Sequence, residues 1–489
     1  MKHYRTFLAV VALTLATFVP KDNAAQSITE LDRSVKAVAA NSDMRHSSLA
    51  VSVYRVADKK QVYAYNPQQS LIPASMQKVF TTAVAYEVLG RDFRFITTLA
   101  YDGTVDAYGV LNGNLYIIGG GDPLLGSYRY RQTVADSVFD AWHKALLRNG
   151  IRQIKGTLYY NQSVFDNKNV HDNWQWGDMG NYYGAGVCGL NFHENMYFAY
   201  FNAGNKIGQP TSIDHITPNI TVLRNVNEVV TAQENSGDQV VIYGEPNGIL
   251  RTYSGTVPRG AKNFAVRGAM PNPASTCANM FAEYLRKNGI TVAPLTKEIA
   301  TVPKNVHSLL DYYSNTYNIL AQYINRTSNN IYAESVFKFL GYRRYSKGTF
   351  ANGAQVCYDF FRRNGLQTDG IVVDDGSGLS RCNLVTSDFT CNLLNRVAAM
   401  PIYKDFLTTL SEVGVNGTAR NILSGKMPEG VKMYVKSGTM KGVKSFCGYC
   451  INKKGDTYSF CIICNNFNCK SDVAVKNLEQ ILYHIASMK

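Results

Sequence analysis

Apolar-rich runs bounded by turn residues mark strands at both ends of the chain. Ser48 to Val56 and Gln61 to Asn66 flank Asp58-Lys59-Lys60 as a hairpin. Near the other end, Lys432 to Lys436 is a strand signal, and Val443 to Ile451 and Thr457 to Asn465 flank the turn Lys453-Lys454-Gly455-Asp456. Between these ends, apolar residues recur at helical spacing in Ile28–Ala40, Ser75–Leu89 (stopped by Gly90), Val134–Asn149 and Pro273–Asn288. Further helices are predicted near 309–325, 331–340, 354–363 and 386–398, with a last one from Val473 to Met488. From about residue 93 the texture shifts to short strands rich in Gly, Asn and Tyr, including Leu115–Ile118 before Gly119-Gly120-Gly121-Asp122. Residues 205–261 read as mostly β, with turns at Asn235-Ser236-Gly237 and Pro246-Asn247-Gly248.

Hairpins at both termini predict one antiparallel sheet shared by the two ends of the chain, with helices on its faces. The middle is then an insertion. At 489 residues and 45% hydrophobic content, the chain is long and apolar enough for several cores. The final helix is expected to pack on the sheet rather than lie on a membrane.

The amino terminus carries a different kind of information. Lys2 and Arg5 precede the short apolar run Phe7–Val19, and polar Lys21-Asp22-Asn23 leads to Ala24-Ala25. That run is too short to span a bilayer comfortably, so residues 1–25 are expected to be a cleaved secretory signal and the mature protein extracytoplasmic. Loss of Lys2, Arg5 and Lys21 together with Asp22 lowers the net charge from +14 to +12. The basic residues are scattered, in pairs such as Arg343-Arg344, Arg362-Arg363 and Lys453-Lys454, outside any nucleic-acid reader motif. No nucleic-acid partner is expected; loose attraction to an anionic envelope surface is the better use of the charge.

The ten cysteines raise zinc and disulfides. Cys447-x-x-Cys450 and Cys461-x-x-Cys464 have ribbon-like spacing, but residues three apart on a strand face opposite sides, so neither pair closes on one ion. Buried thiols, or a cross-strand disulfide such as Cys450 with Cys461, are expected instead. No metal and no cofactor is predicted.

Chemistry concentrates in three short motifs. Ser75-Met76-Gln77-Lys78 sets a hydroxyl and an amine one helical turn apart on one face. A serine needs an adjacent base, and a lysine serves if burial and nearby cations keep it neutral. S-x-x-K is weak alone and recurs at Ser335-Val336-Phe337-Lys338. Ser328-Asn329-Asn330 is the one S-x-N in the chain, just before a predicted helix, and Lys436-Ser437-Gly438-Thr439 lies at the end of a predicted strand. The order S-x-x-K, S-x-N, K-[ST]-G is the signature shared by penicillin-binding proteins and serine β-lactamases. Ser335 fails that order because it follows the S-x-N element.

The separation of 253 positions from Ser75 to Ser328 exceeds what a compact β-lactamase places there. With Gly119-Gly120-Gly121-Asp122-Pro123, Trp174-Gln175-Trp176-Gly177-Asp178 and Asp375-Gly376-Ser377-Gly378-Leu379-Ser380-Arg381, the chain resembles the class C low-molecular-mass penicillin-binding proteins, the serine-type D-alanyl-D-alanine carboxypeptidase/endopeptidase family. The resemblance covers nearly the whole mature chain. It implies an α/β (α+β) fold: a transpeptidase/β-lactamase-like domain (26–92 and 305–489) with a central antiparallel sheet flanked by helices. Two inserted domains would interrupt it, one at 93–204 and 262–304 and a nested, mostly β one at 205–261.

The resemblance also implies roles. Ser75 attacks the carbonyl before the terminal D-alanine with Lys78 as base; Ser328 and Lys436 relay the proton to the leaving amine; Asn330 holds the substrate amide. Backbone N–H groups of Ser75 and Thr439 form the oxyanion hole. Ser437, Gly438 and Thr439 suit the terminal carboxylate, and Asp178 either meets an amino group of the peptide stem or caps its own loop. Position 437 is Ser where the family often has Thr, which keeps the hydroxyl. Expected partners are peptidoglycan stem peptides and β-lactam antibiotics.

Other constellations fail. His193-Glu194 is not part of H-E-x-x-H, Gly376-Ser377-Gly378 lacks the spacing of a nucleophile elbow, and Gly119–Gly121 has no following Lys-Ser/Thr for a P-loop. The competing functions are a serine β-lactamase, against which the long insertion argues, and a β-lactam-sensing or wall-binding module that acylates without turnover.

Overall fold

The computed structural model describes residues 23–293 and 295–489. Most of the expected signal segment therefore lies outside the described residues, and the first described helix, Asn23–Ala40, begins within it. No helix among the described residues is long and apolar enough to cross a membrane.

The two ends of the chain do build one sheet. Its six antiparallel strands run in the order Ser411–Glu412, Lys432–Met440, Val443–Ile451, Thr457–Asn465, Ser48–Arg55 and Lys60–Tyr65. The amino-terminal hairpin joins by pairing Ser48–Arg55 with Thr457–Asn465 along eight residues, from Ser48 opposite Asn465 to Arg55 opposite Tyr458. Both faces of the sheet are buried, so its strands are nearly continuous apolar runs rather than alternating ones. Ala50, Cys447, Tyr449, Cys461 and Ile463 face a core made with the helices Lys78–Leu89, Asn330–Tyr345, Phe350–Arg363 and Ser387–Ala398. Val51, Val53, Phe446, Cys450, Ile462 and Cys464 face the other core, covered by Asn23–Ala40 and the last helix, Ser471–Ala486.

The insertion has sheets of its own. Five strands, in the order Thr296–Glu298, Leu158–Asn161, Leu115–Ile118, Ile96–Tyr101 and His307–Tyr313, pack beneath Ala135–Arg148 and Pro273–Lys287. Within residues 196–269, two three-stranded sheets enclose a small separate core around Tyr197, Phe201, Tyr253 and Val257.

Three local expectations are corrected. The helix predicted from 309 begins only at Tyr317; His307–Tyr313 is a strand paired antiparallel with Ile96–Tyr101. Its apolar spacing fits either period over so few residues, and the open edge of the neighbouring strand decides the outcome. The strand predicted to end at Lys436 continues to Met440, so Lys436-Ser437-Gly438-Thr439 lies within it, paired in turn with Cys447, Phe446, Ser445 and Lys444 across the hairpin. The Cys450–Cys461 cross-link is ruled out by register: Cys450 stands opposite Tyr458, Cys461 stands opposite Cys447, and the two thiols lie on opposite faces of the sheet.

All ten cysteines carry free thiols; Cys382 is exposed, Cys469 is half-buried and the rest are buried. Native reduced protein is therefore expected to react with iodoacetamide first at Cys382, more slowly at Cys469, and at the other eight only after unfolding. It should also contain no stoichiometric zinc, because each C-x-x-C pair is divided between two cores. Peptide mapping of the alkylated protein and elemental analysis check both; one zinc per chain would contradict the packing.

Candidate active site

Ser75 sits on a single 3-10 turn, Ala74–Gln77, that leads directly into the helix Lys78–Leu89. Two glycines let other chain segments approach that turn. A Cβ on Gly438 would fall 2.5 Å from the Pro73 carbonyl oxygen and 2.3 Å from Ser445 Oγ. A Cβ on Gly378, whose φ is +79°, would fall 1.9 Å from the Ala74 carbonyl oxygen. Ser445 Oγ also donates to the Pro73 carbonyl at 2.6 Å, which ties the sheet to the turn. The strand carrying Lys436 and the loop carrying Ser377 are thus held against the residues flanking Ser75.

Ser75 is partly open to solvent, whereas Lys78 beneath it is fully buried. Lys78 Nζ reaches Ser75 Oγ at 2.9 Å, Asn330 Oδ1 at 2.7 Å and the Ser377 carbonyl at 2.7 Å. Burial lowers its pKa to about 7, against the opposing pull of the Glu334 and Asp375 carboxylates. Lys436, also fully buried, donates to Ser328 Oγ at 3.0 Å and to the Ser437 carbonyl. Burial first, and the neighbouring Lys78 cation second, hold Lys436 well below the ordinary lysine value. Ser328 adopts a left-handed backbone, φ +58°, immediately before Asn329 caps the helix Asn330–Tyr345 by accepting from the Tyr332 N–H. The five residues expected to be catalytic therefore form two hydrogen-bonded groups, Lys78 with Ser75 and Asn330, and Lys436 with Ser328, near enough that the charge of Lys78 acts on Lys436.

Ser437 and Thr439 are on the same strand, and each is held by a residue that the motifs did not contain. Ser437 Oγ shares a 2.9 Å hydrogen bond with Thr418 Oγ1, and Lys444 Nζ donates to Thr439 Oγ1 at 2.7 Å. Burial lowers the Lys444 pKa to about 8. Glu334 was missed as well. It lies one turn beyond Asn330 and is fully buried, and its carboxylate accepts from the Gly376 and Ser377 N–H groups at 2.9 and 2.7 Å. Asp375 does the same for the Gly378 and Ser380 N–H groups, both at 2.7 Å. Together they shape the turn whose Ser377 carbonyl holds Lys78. The sequence signal for Glu334 was its i+4 spacing from Asn330, directly after the apolar Ile331-Tyr332-Ala333. Lys444 carried no signal before its register opposite Thr439 was known.

A cavity of about 440 Å³ opens over Ser75 and is bounded by Ser328, Asn330, Thr439, Arg381 and, from the insertion, Asp178. Asp178 is half-buried on the short helix Trp176–Met179, and burial raises its pKa. The insertion is clamped in place beside it: Trp174 Nε1 donates to Asp375 at 2.8 Å, and Asn330 Nδ2 donates to the Tyr183 carbonyl at 2.7 Å.

The remaining motifs are structural. Ser335 Oγ is buried and accepts from Asn191 Nδ2, and Lys338 is buried in an ion pair with Asp166 at 2.6 Å. Asp122 ends the Leu115–Ile118 strand by accepting from the Leu124 N–H. Glu194 is paired bidentately with Arg129, at 2.6 and 2.9 Å.

Known proteins resemble this chain in sequence and in fold. A family model for the D-Ala-D-Ala carboxypeptidase 3 (S13) family matches residues 31–488. The chain is 28% identical over 469 residues to the D-alanyl-D-alanine carboxypeptidase of Actinomadura sp. (strain R39), covering 93% of this chain and 85% of that protein. The crystal structure of penicillin binding protein 4 (dacB) from Haemophilus influenzae has a TM-score of 0.79 at 23% identity, over 93% of this chain and 99% of that one. The same protein complexed with a novel beta-lactam gives a TM-score of 0.75 over the same shares. Those two structural likenesses are of fold. The family match, by contrast, spans nearly all of the sequence, and the chain belongs to the D-Ala-D-Ala carboxypeptidase 3 (S13) family of serine peptidases.

Proposed function

We propose that the protein cleaves peptidoglycan stem peptides that end in, or are cross-linked through, D-alanine, by way of an acyl-enzyme on Ser75, and that β-lactams acylate the same oxygen. The observation that carries this is the buried Lys78 amine 2.9 Å from Ser75 Oγ. A neutral amine has two hydrogens and one lone pair. Asn330 Oδ1 and the Ser377 carbonyl accept the two hydrogens, which leaves the lone pair facing the Ser75 hydroxyl.

Ser75 Oγ then attacks the carbonyl carbon while its proton passes to Lys78. The oxyanion lies between the backbone N–H groups of Ser75 and Thr439. Collapse breaks the C–N bond, and the leaving amine takes a proton from Ser328 Oγ; the proton that Lys78 gained passes by way of Lys436 to restore that hydroxyl, so that both lysines are neutral again. Water then attacks the acyl carbon with Lys78 again as base, releasing the acid and freeing Ser75. The Asn330 amide nitrogen gives one hydrogen to Tyr183 and has a second for the substrate amide. Ser437 and Thr439, held by Thr418 and Lys444, would take the leaving residue's carboxylate, and Asp178 an amino group of the stem. The sheets support the expected division into a catalytic part and two insertions, the insertions walling one side of the cleft. The substrate lies outside the cytoplasm, and the charged-then-apolar amino terminus supports an exported enzyme with loose attraction to the anionic envelope.

Incubation with penicillin is expected to add one antibiotic mass to a peptide containing Ser75, and Ser75→Ala should abolish the adduct. An adduct on Ser335, or one persisting in Ser75→Ala, would falsify the assignment of the nucleophile.

Because burial lowers the Lys78 pKa to about 7, the fraction of neutral base falls as pH drops below that value. Second-order acylation rates measured from pH 5 to 10 should therefore rise about tenfold per unit on the acid limb and level off above neutrality. Lys78→Arg should lower the rate by about 10²–10⁴-fold, since guanidinium stays protonated throughout. A flat profile, or full activity in that variant, would remove lysine as the base.

A further inference from the structure

A second hollow lies on the far side of the partition formed by Ser328, Asn330, Tyr182 and Tyr183. These four residues line both it and the cavity over Ser75. Its volume is about 290 Å³, and its remaining wall includes Tyr128, Arg129 and Arg267. The two arginines differ in what they already hold. Arg129 is committed to Glu194, which in turn accepts from the Ser127 and Tyr332 hydroxyls at 2.6 and 2.7 Å, so this buried network is neutral and closed. Arg267 is seated over the Tyr182 ring, its guanidinium carbon 3.7 Å from the ring centroid. No carboxylate pairs with it among the described residues. Stacking occupies the face of a guanidinium and leaves its edge N–H groups free, the geometry that receives a carboxylate.

We infer that this hollow is a subsite for the leaving strand of a cross-linked substrate, and that Arg267 binds a carboxylate on that strand. The inference rests on the acyl-transfer reading above and deepens it. The amine that leaves must depart at Ser328, the residue that gives it a proton. A leaving D-alanine ends there. When the leaving residue is the branch point of a second stem peptide, its chain has to continue past Ser328, and the adjoining space is this hollow. Its one uncommitted charge is positive, which suits an acidic peptide carrying a further carboxylate. Arg267 belongs to the strand Phe264–Ala269, whose Gly268 bridges Asn181 beside Tyr182, so the guanidinium is held at a fixed place relative to the partition.

The test compares a monomeric stem pentapeptide ending in D-Ala-D-Ala with a cross-linked stem-peptide dimer, using the wild-type protein, Arg267→Gln and Arg267→Lys. For the dimer, Arg267→Gln should raise KM about tenfold with kcat within about twofold, and Arg267→Lys should recover part of the loss. For the monomer, and for penicillin acylation, both variants should stay within about twofold of wild type. A dimer amidated at every leaving-strand carboxylate except the one beside the scissile bond should show the same rise with wild-type protein and no further change with Arg267→Gln. Equal losses on monomer and dimer would make Arg267 a support for the Tyr182–Tyr183 turn and overturn the subsite, as would an unchanged dimer KM. Wild-type protein that trims the monomer but leaves the dimer intact would overturn the subsite and spare the acyl-transfer reading. Failure on both peptides together with no penicillin adduct would overturn both.

Discussion

Two lysines are buried within reach of each other, and the rest of the site answers to that. A buried ammonium is costly unless it is neutralised or hydrogen-bonded, and a second cation beside it adds to the cost. Lys78 and Lys436 are both fully buried, and each is pushed below its ordinary pKa. Every polar group around them is placed to bear that burden: Asn330 and the Ser377 carbonyl for Lys78, Ser328 and the Ser437 carbonyl for Lys436. The same desolvation that destabilises the charged amine brings its neutral form, with a free lone pair, within reach of neutral pH. Stability and reactivity are here two descriptions of one electrostatic penalty.

The sheet makes that burial possible. Lys436 needs a central strand whose neighbours are covered on both faces, and its strand lies between Ser411–Glu412 and Val443–Ile451. Lys78 needs a helix pressed on that strand, which requires a backbone approach that a side chain at 438 would block. The amino-terminal hairpin docks on Thr457–Asn465 and adds two strands to the sheet, so that four lie beyond the motif strand. The register between Val443–Ile451 and Thr457–Asn465 settles the cysteines, because pairing Cys447 with Cys461 puts both in the core under the helix Ser387–Ala398, with Cys391 on that helix.

The insertion shapes the cleft rather than the chemistry. Trp174 reaches Asp375, and the Tyr183 carbonyl holds Asn330, so two contacts from the insertion bear directly on the groups that orient Lys78. Asp178 and Arg267 come from separate parts of that insertion and end on either side of the Tyr182–Tyr183 partition. An inserted unit fastened in this way can divide substrate space without touching the nucleophile.

The sequence by itself determined the fold class, most element positions and the five residues at the centre of the site. It could do so because the strands and helices were long and strongly patterned, and because three short motifs in a fixed order are rare even when each alone is common. The two C-terminal strands, Val443–Ile451 and Thr457–Asn465, fall where their apolar runs placed them. Tertiary structure decided what depends on contacts between distant segments. His307–Tyr313 became a strand because an open strand edge was waiting for it. Glu334 and Thr418 joined the site through partners 43 and 19 residues away, and Lys444 through the hairpin register that sets it opposite Thr439. Arg267 stands beside Ser328 only because two inserted segments fold back on the catalytic sheet. Local pattern reports what a segment is; charge burial and close backbone approach depend on what comes to lie against it.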